Sequence, residues 1–204
     1  MSDLTFFCDY GCPYAHRVLA MLKVLELDFE HREARLGEKP PGVRRFSASG
    51  RIPLLVHGDL VLTESRVILD YLNERFGYLG YSDDFETRTR QRHAIALVDE
   101  YLTPAVFGPI TSPDLHRLEE GLDVFEAAMT TPQTPSLFAL CIAPIWWRLF
   151  RLRPASRVVS SIQSRPELLA WMQGAAELEC IVETAPEMAR ASADLAWARQ
   201  TGLI

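Results

Sequence analysis

Leu4–Phe7 is a short, mostly apolar run, as expected of a buried strand. After the turn residues Asp9-Tyr10-Gly11, apolar positions recur at Ala15, Val18, Leu19, Leu22 and Leu25. That spacing predicts a helix with Pro13 at its first position, where the missing N–H costs nothing. Asp28–Leu36 alternates through Phe29, His31 and Glu33 and reads as a second strand. A polar, proline-bearing loop, Gly37–Gly42, comes next. Pro53–Val56 and Leu60–Leu62 are apolar runs joined by His57-Gly58-Asp59, which predicts a hairpin. Thr63 or Ser65 is the expected cap of a helix continuing to Phe76, with Val67, Ile68, Tyr71 and Leu72 on its buried face.

The character changes after a linker near residues 77–83. Phe85–Phe107, Pro113–Met129, Pro135–Leu152 and Pro154–Val182 carry helical patterns without strand signals, the last broken near Arg165–Glu167. The order β-α-β-loop-β-β-α followed by helices alone predicts two domains. An α/β, thioredoxin-like domain spans 1–77 and an all-helical bundle spans 84–204.

Composition changes this picture little. A chain of 204 residues with 48% hydrophobic and 24% charged content suits an ordinary globular protein. The net charge of -6 argues against a nucleic-acid binder held by a basic surface. The most apolar stretch, Pro135–Phe150, is shorter than a membrane span and carries Arg148, so a buried helix is expected and no membrane partner. No secretory signal opens the chain. Cysteines at 8, 12, 141 and 180 form neither a C-x-x-C pair nor a zinc pattern, so no metal site is expected. Free thiols without an export signal point to the cytoplasm.

Chemistry concentrates in "FFCDYGCPYAHR", Phe6–Arg17. A thiol at the start of the first helix, Cys12, faces unpaired N–H groups and the positive end of the helix dipole, both of which favour thiolate. Position alone leaves two readings open, a reactive thiol or a small turn residue. Cys8, closing a buried strand, has no such support and is expected to be inert. His16, beside Arg17, is expected to be exposed or hydrogen-bonded rather than catalytic.

Three further stretches accompany "CPYAHR": "GEKPPG", "GRIPLL" and "LTESRVIL". Together, in this order and spacing, they resemble the glutathione transferases, and within them the cysteine-containing omega-like class. The resemblance implies a mixed disulfide between Cys12 and glutathione, with Tyr14 at the family's aromatic position. It implies a cis Ile52–Pro53 bond, leaving the Ile52 backbone to pair with the cysteinyl unit of glutathione. Glu64 would receive the γ-glutamyl ammonium, Ser65 its carboxylate, and Lys39 the glycyl carboxylate. It also implies thioltransferase or dehydroascorbate reductase-type activity, glutathione as co-substrate, a small electrophile or disulfide as second substrate, and a homodimer. "LTFF" lacks the tyrosine of tyrosine-type transferases, so that chemistry is not expected. In the helical part Ser136 is followed by Ala139 where the family has Asp, removing one bond of a capping box. Tyr101, Phe107, Trp146 and Trp147 are candidates for a second-substrate pocket, although aromatic residues at helical spacing are usually core.

"DLVLTESRVILDYLNERF" and "APIWWRL" also resemble stringent starvation protein A, a transferase-like family without transferase activity that binds RNA polymerase. That family lacks the cysteine-proline pair, so Cys12-Pro13 separates the two readings.

Overall fold

The computed structural model describes residues 3–34, 43, 46, 50–77, 80–103, 115–130 and 135–200. Four strands form one sheet in the order β2-β1-β3-β4. They are β1 (Leu4–Cys8), β2 (Glu30–Glu33), β3 (Leu54–His57) and β4 (Leu60–Thr63). β2 lies parallel to β1, whereas β3 is antiparallel to both β1 and β4. The parallel pair needs a crossover, and α1 (Pro13–Val24) supplies it. The β3–β4 connection is a two-residue turn, Gly58-Asp59, with His57 opposite Leu60. Gly58 has φ +59°, a conformation glycine adopts without cost.

β2 is shorter than expected and largely exposed, and it forms the edge of the sheet among the described residues. Helix α2 (Ser65–Phe76) corrects two expectations. Its N-cap is Glu64, not Thr63 or Ser65, and no side chain caps it. Its buried positions are Ser65, Ile68, Leu69 and Leu72, while Val67 is half exposed. The helix packs against α1, and Leu69 rather than Val67 is buried in the shared core.

The second part of the chain is helical among the described residues. α3 (Phe85–Leu97) runs into a π-helical turn, Val98–Leu102. Then come α4 (Leu115–Glu126), α5 (Leu137–Leu152), α6 (Arg157–Gln163), α7 (Pro166–Ala176), α8 (Glu179–Glu183) and α9 (Met188–Gln200). Asp84 and Ser136 cap α3 and α5 by accepting the N–H of Thr87 and Ala139. α9 was not expected from the sequence.

One continuous core joins the two parts. Helix α1 lies between the sheet and α5, with Ala15, Val18, Leu19 and Leu22 buried. α5 is buried from Leu137 through Leu149, and Trp146 and Trp147 belong to that core rather than to an open pocket. An α-helix apolar on every side must be enclosed, which explains why the most hydrophobic stretch is the central one. No described helix is long and apolar enough to cross a membrane.

Candidate functional site

Sheet register gathers the expected site at one end of the first domain. Phe7, near the C-terminal end of β1, pairs with Leu54 at the start of β3, and Leu54 also pairs with Thr63 at the end of β4. The Cys12 turn, Pro53 and Glu64 therefore lie just beyond the same sheet end. The Ile52–Pro53 bond is cis. Ser65 is buried and Glu64 beside it is exposed. Glu64 holds φ +69° and ψ 111°, a combination that costs a residue with a Cβ and persists only where surrounding structure enforces it. Lys39 and Phe107 lie outside the described residues, as does the side chain of Tyr101.

Cys12 is the N-cap of α1, with Pro13 at the first helical position. Its N–H donates to the Asp9 carbonyl at 3.0 Å, and its own carbonyl accepts the His16 N–H at 3.0 Å. The backbone N–H groups of Tyr14 and Ala15 at the start of α1 favour the thiolate, although no capping hydrogen bond reaches the Cys12 side chain. Burial works the other way and wins. It pushes the Cys12 thiol above its ordinary value against those N–H groups and the Arg148 charge. The helix start favours thiolate as expected, but the residue is 4% exposed and its thiolate loses most solvation by water, so burial outweighs that support. Cys8 is fully buried and also pushed up by burial, in line with an inert role. Cys141 and Cys180 are pushed up to about 12 and about 11 by the same cause.

Tyr14 is half-buried and engaged on the helical side. The Arg17 guanidinium sits 5.0 Å from its ring centre, and burial, with the Asp99 charge nearby, pushes its phenol up. Arg17, itself fully buried, makes a two-point ion pair with Asp99 on that turn.

The charged network under the Cys12 turn joins residues that lie far apart in the chain. Asp9, 1% exposed, accepts the Gly11 N–H at 3.0 Å and Nη2 of Arg190 from α9 at 2.7 Å. Arg148 from α5 donates from Nε and Nη2 to the Gly11 carbonyl, at 3.2 and 2.9 Å. Its Nη1 donates to the Pro144 carbonyl at 2.9 Å and to His16 Nδ1 at 3.0 Å. That contact fixes the tautomer: His16 Nε2 carries the proton and donates to the Ile181 carbonyl at 2.9 Å. Burial, with Arg148 beside it, pushes His16 down to about 3, so the ring is neutral. One signal was present. A lone arginine inside an otherwise apolar run must find partners when the run is buried.

Comparison with known proteins follows this geometry. Residues 6–82 match the family model described as glutathione S-transferase, N-terminal domain. The chain is 36% identical over 75 residues to a stringent starvation protein A homolog of Haemophilus influenzae, covering 37% of this chain and 35% of that protein. It is 30% identical over 115 residues to glutathione S-transferase U2 of Arabidopsis thaliana, covering 55% of this chain and 48% of the relative. The aligned segments thus span about a third to a half of these relatives' lengths. Among solved structures, glutathione transferase Omega 1C of Trametes versicolor superposes with a TM-score of 0.77 at 19% identity, covering 97% of each chain. The fold is that of the glutathione transferases, a thioredoxin-like domain followed by a helical one. The comparisons support the glutathione transferase superfamily for this chain, with stringent starvation protein A homologues among its relatives.

Proposed function

We propose that this chain is a glutathione-dependent thiol–disulfide exchange enzyme of the omega-like kind, acting through a mixed disulfide on Cys12. The observation that carries the reading is Cys12 at the N-cap of α1, directly before Pro13 at the first helical position. Glutathione is the co-substrate. Ser65 and the start of α2 would hold its γ-glutamyl carboxylate and Glu64 its ammonium, while the Ile52 backbone would pair with the cysteinyl unit. Lys39 is assigned to the glycyl carboxylate, and Tyr14 to the wall of the site, by resemblance.

The chemistry is two successive exchanges. The Cys12 thiolate attacks a glutathione-containing disulfide, forming a Cys12–glutathione bond as the old S–S bond breaks and the departing thiolate takes up a proton. A second glutathione thiolate then attacks the glutathione sulfur of that adduct. Oxidised glutathione leaves and Cys12 returns to its thiolate. One glutathione thiol is consumed and one substrate thiol is released, and the single S–S bond passes from the substrate to oxidised glutathione. Because burial holds the Cys12 thiol up, less thiolate is present at neutral pH, and the rate should climb as pH rises from 7 to 9. A thiolate of higher pKa is also the stronger nucleophile once formed.

The reading includes a cytoplasmic homodimer acting on a small electrophile or disulfide. Sedimentation at micromolar concentration showing only a 23.1 kDa species would remove the dimer. A second reading, a non-enzymatic partner of RNA polymerase, is favoured by the likeness to the Haemophilus influenzae stringent starvation protein A homolog and by the depth at which Cys12 is buried. A glutathione-dependent exchange assay separates them. Wild type and Cys8→Ser should turn over and Cys12→Ser should not; equal, negligible rates in all three favour the binding protein.

A further inference from the structure

Three elements from the helical part converge on the turn that presents Cys12: α5 through Arg148, α8 through the Ile181 carbonyl on His16, and α9 through Arg190 on Asp9. Arg148 is fully buried and makes two of its hydrogen bonds to one atom, the carbonyl oxygen of Gly11, the residue immediately before Cys12. Its Nη1 also donates to the Pro144 carbonyl and to the neutral imidazole of His16. A buried guanidinium is expensive, and a simple helix-to-loop clasp could be built from neutral donors.

We infer that Arg148 is a positioning residue for Cys12: it fixes the Gly11–Cys12 turn from the helical domain and supplies the buried positive charge against which the Cys12 thiolate forms. This rests on the reading of Cys12 as the nucleophile. The fork geometry suits the task, since a planar guanidinium can hold the turn with two N–H groups and still present its charge to the sulfur. The groups facing Cys12 are Cys8 on β1, Asp9 in the turn, Tyr14 on α1 and Arg148 on α5. Arg148 favours the thiolate, Asp9 and burial disfavour it, and Arg190 is bonded to Asp9. His16, held neutral between Arg148 and Ile181, adds no competing charge. The helical domain thus takes part in the reactive centre of the first domain through one side chain.

The test is alkylation of Cys12 by iodoacetamide from pH 6 to 10, quantified on the Cys12 peptide by mass spectrometry, with folding checked by circular dichroism. Two variants are compared with wild type. Arg148→Gln keeps donors but removes the charge; Arg148→Lys keeps the charge but loses the fork. An opposite charge at close range moves a thiol by about 1–3 pH units. Arg148→Gln should therefore raise the alkylation midpoint by about one unit or more, slowing the reaction roughly tenfold at pH 8. Arg148→Lys should stay within about half a unit of wild type. A purely structural arginine would alter thermal stability without moving the midpoint. An unshifted midpoint in folded Arg148→Gln overturns the inference while leaving Cys12 as nucleophile. If that variant does not fold, a full-unit rise in Arg148→Lys overturns it. Wild-type Cys12 that fails to react even at pH 10 overturns both.

Discussion

Arg17 on α1 and Asp99 on the π-helical turn form a two-point ion pair across the seam between the two domains, with the arginine fully buried and the carboxylate 23% exposed. Nε of Arg66 lies 3.9 Å from the same carboxylate. Removing only the acid leaves a buried guanidinium uncompensated, a change that costs about 3 kcal/mol. Asp99→Ala should therefore lower the urea midpoint substantially. Arg17→Met with Asp99→Leu, which removes both charges, should recover most of that loss. A single variant as stable as wild type would show that the pair does not hold the seam.

Acid should unfold the protein partly through His16. In the unfolded chain its imidazole has the ordinary value near 6.5, whereas in the fold it is pushed down to about 3. The folded state thus binds fewer protons between these values. The stability His16 contributes is complete above pH 6.5 and drains as pH falls toward 3, by about 1.4 kcal/mol per unit. His16→Gln, which keeps a donor and an acceptor, should flatten stability against pH across that window. An unchanged slope in urea titrations at pH 4 to 7 would contradict this.

Helix α1 ends in a Schellman arrangement. Leu27 N–H donates to the Leu22 carbonyl and Glu26 N–H to that of Lys23. The position that favours glycine is occupied by Glu26 at φ +51°. The side chain is exposed and its Cβ is disfavoured there. Glu26→Gly should stabilise the protein by about 1 kcal/mol, read as a higher melting temperature. A loss of stability would mean that Glu26 makes a contact worth more than its strain.

Glu64→Gly should move stability and binding in opposite directions. Relief of the φ +69° backbone should add about 1 kcal/mol to stability. Loss of the carboxylate should weaken glutathione binding about tenfold, the effect of one charge-assisted bond at an exposed site. Calorimetric titration and thermal melts on one sample measure both. Unchanged affinity would remove Glu64 from the proposed site.

What could be read from the sequence was local. The periodicity of α1, the β3–β4 hairpin and the enclosed helix α5 all lie within windows of twenty residues, where apolar spacing speaks directly, although His57 belongs to β3 and the turn is Gly58-Asp59 alone. Which face of α2 is buried depends on α1, so Val67 was assigned inside and Leu69 was missed. α9 carries a weak apolar pattern, and its Arg190 acquires meaning only through Asp9, far away in the chain. The contacts of Arg148 with Gly11 and His16 span 137 and 132 residues. Motif spacing located Cys12 and Glu64, but the burial that governs the Cys12 thiol comes from the assembled core and is invisible in "CPYA".

The central claim is that Cys12, not Cys8, is the nucleophile. Incubation of the reduced protein with oxidised glutathione at pH 8, followed by peptide-resolved mass spectrometry, tests it most directly. One glutathione should be added, on Cys12, and excess reduced glutathione should remove it. Cys8→Ser should behave like wild type, since Cys8 is fully buried at the end of β1. An adduct on Cys8, or none on Cys12, would contradict the account and favour the binding-protein reading.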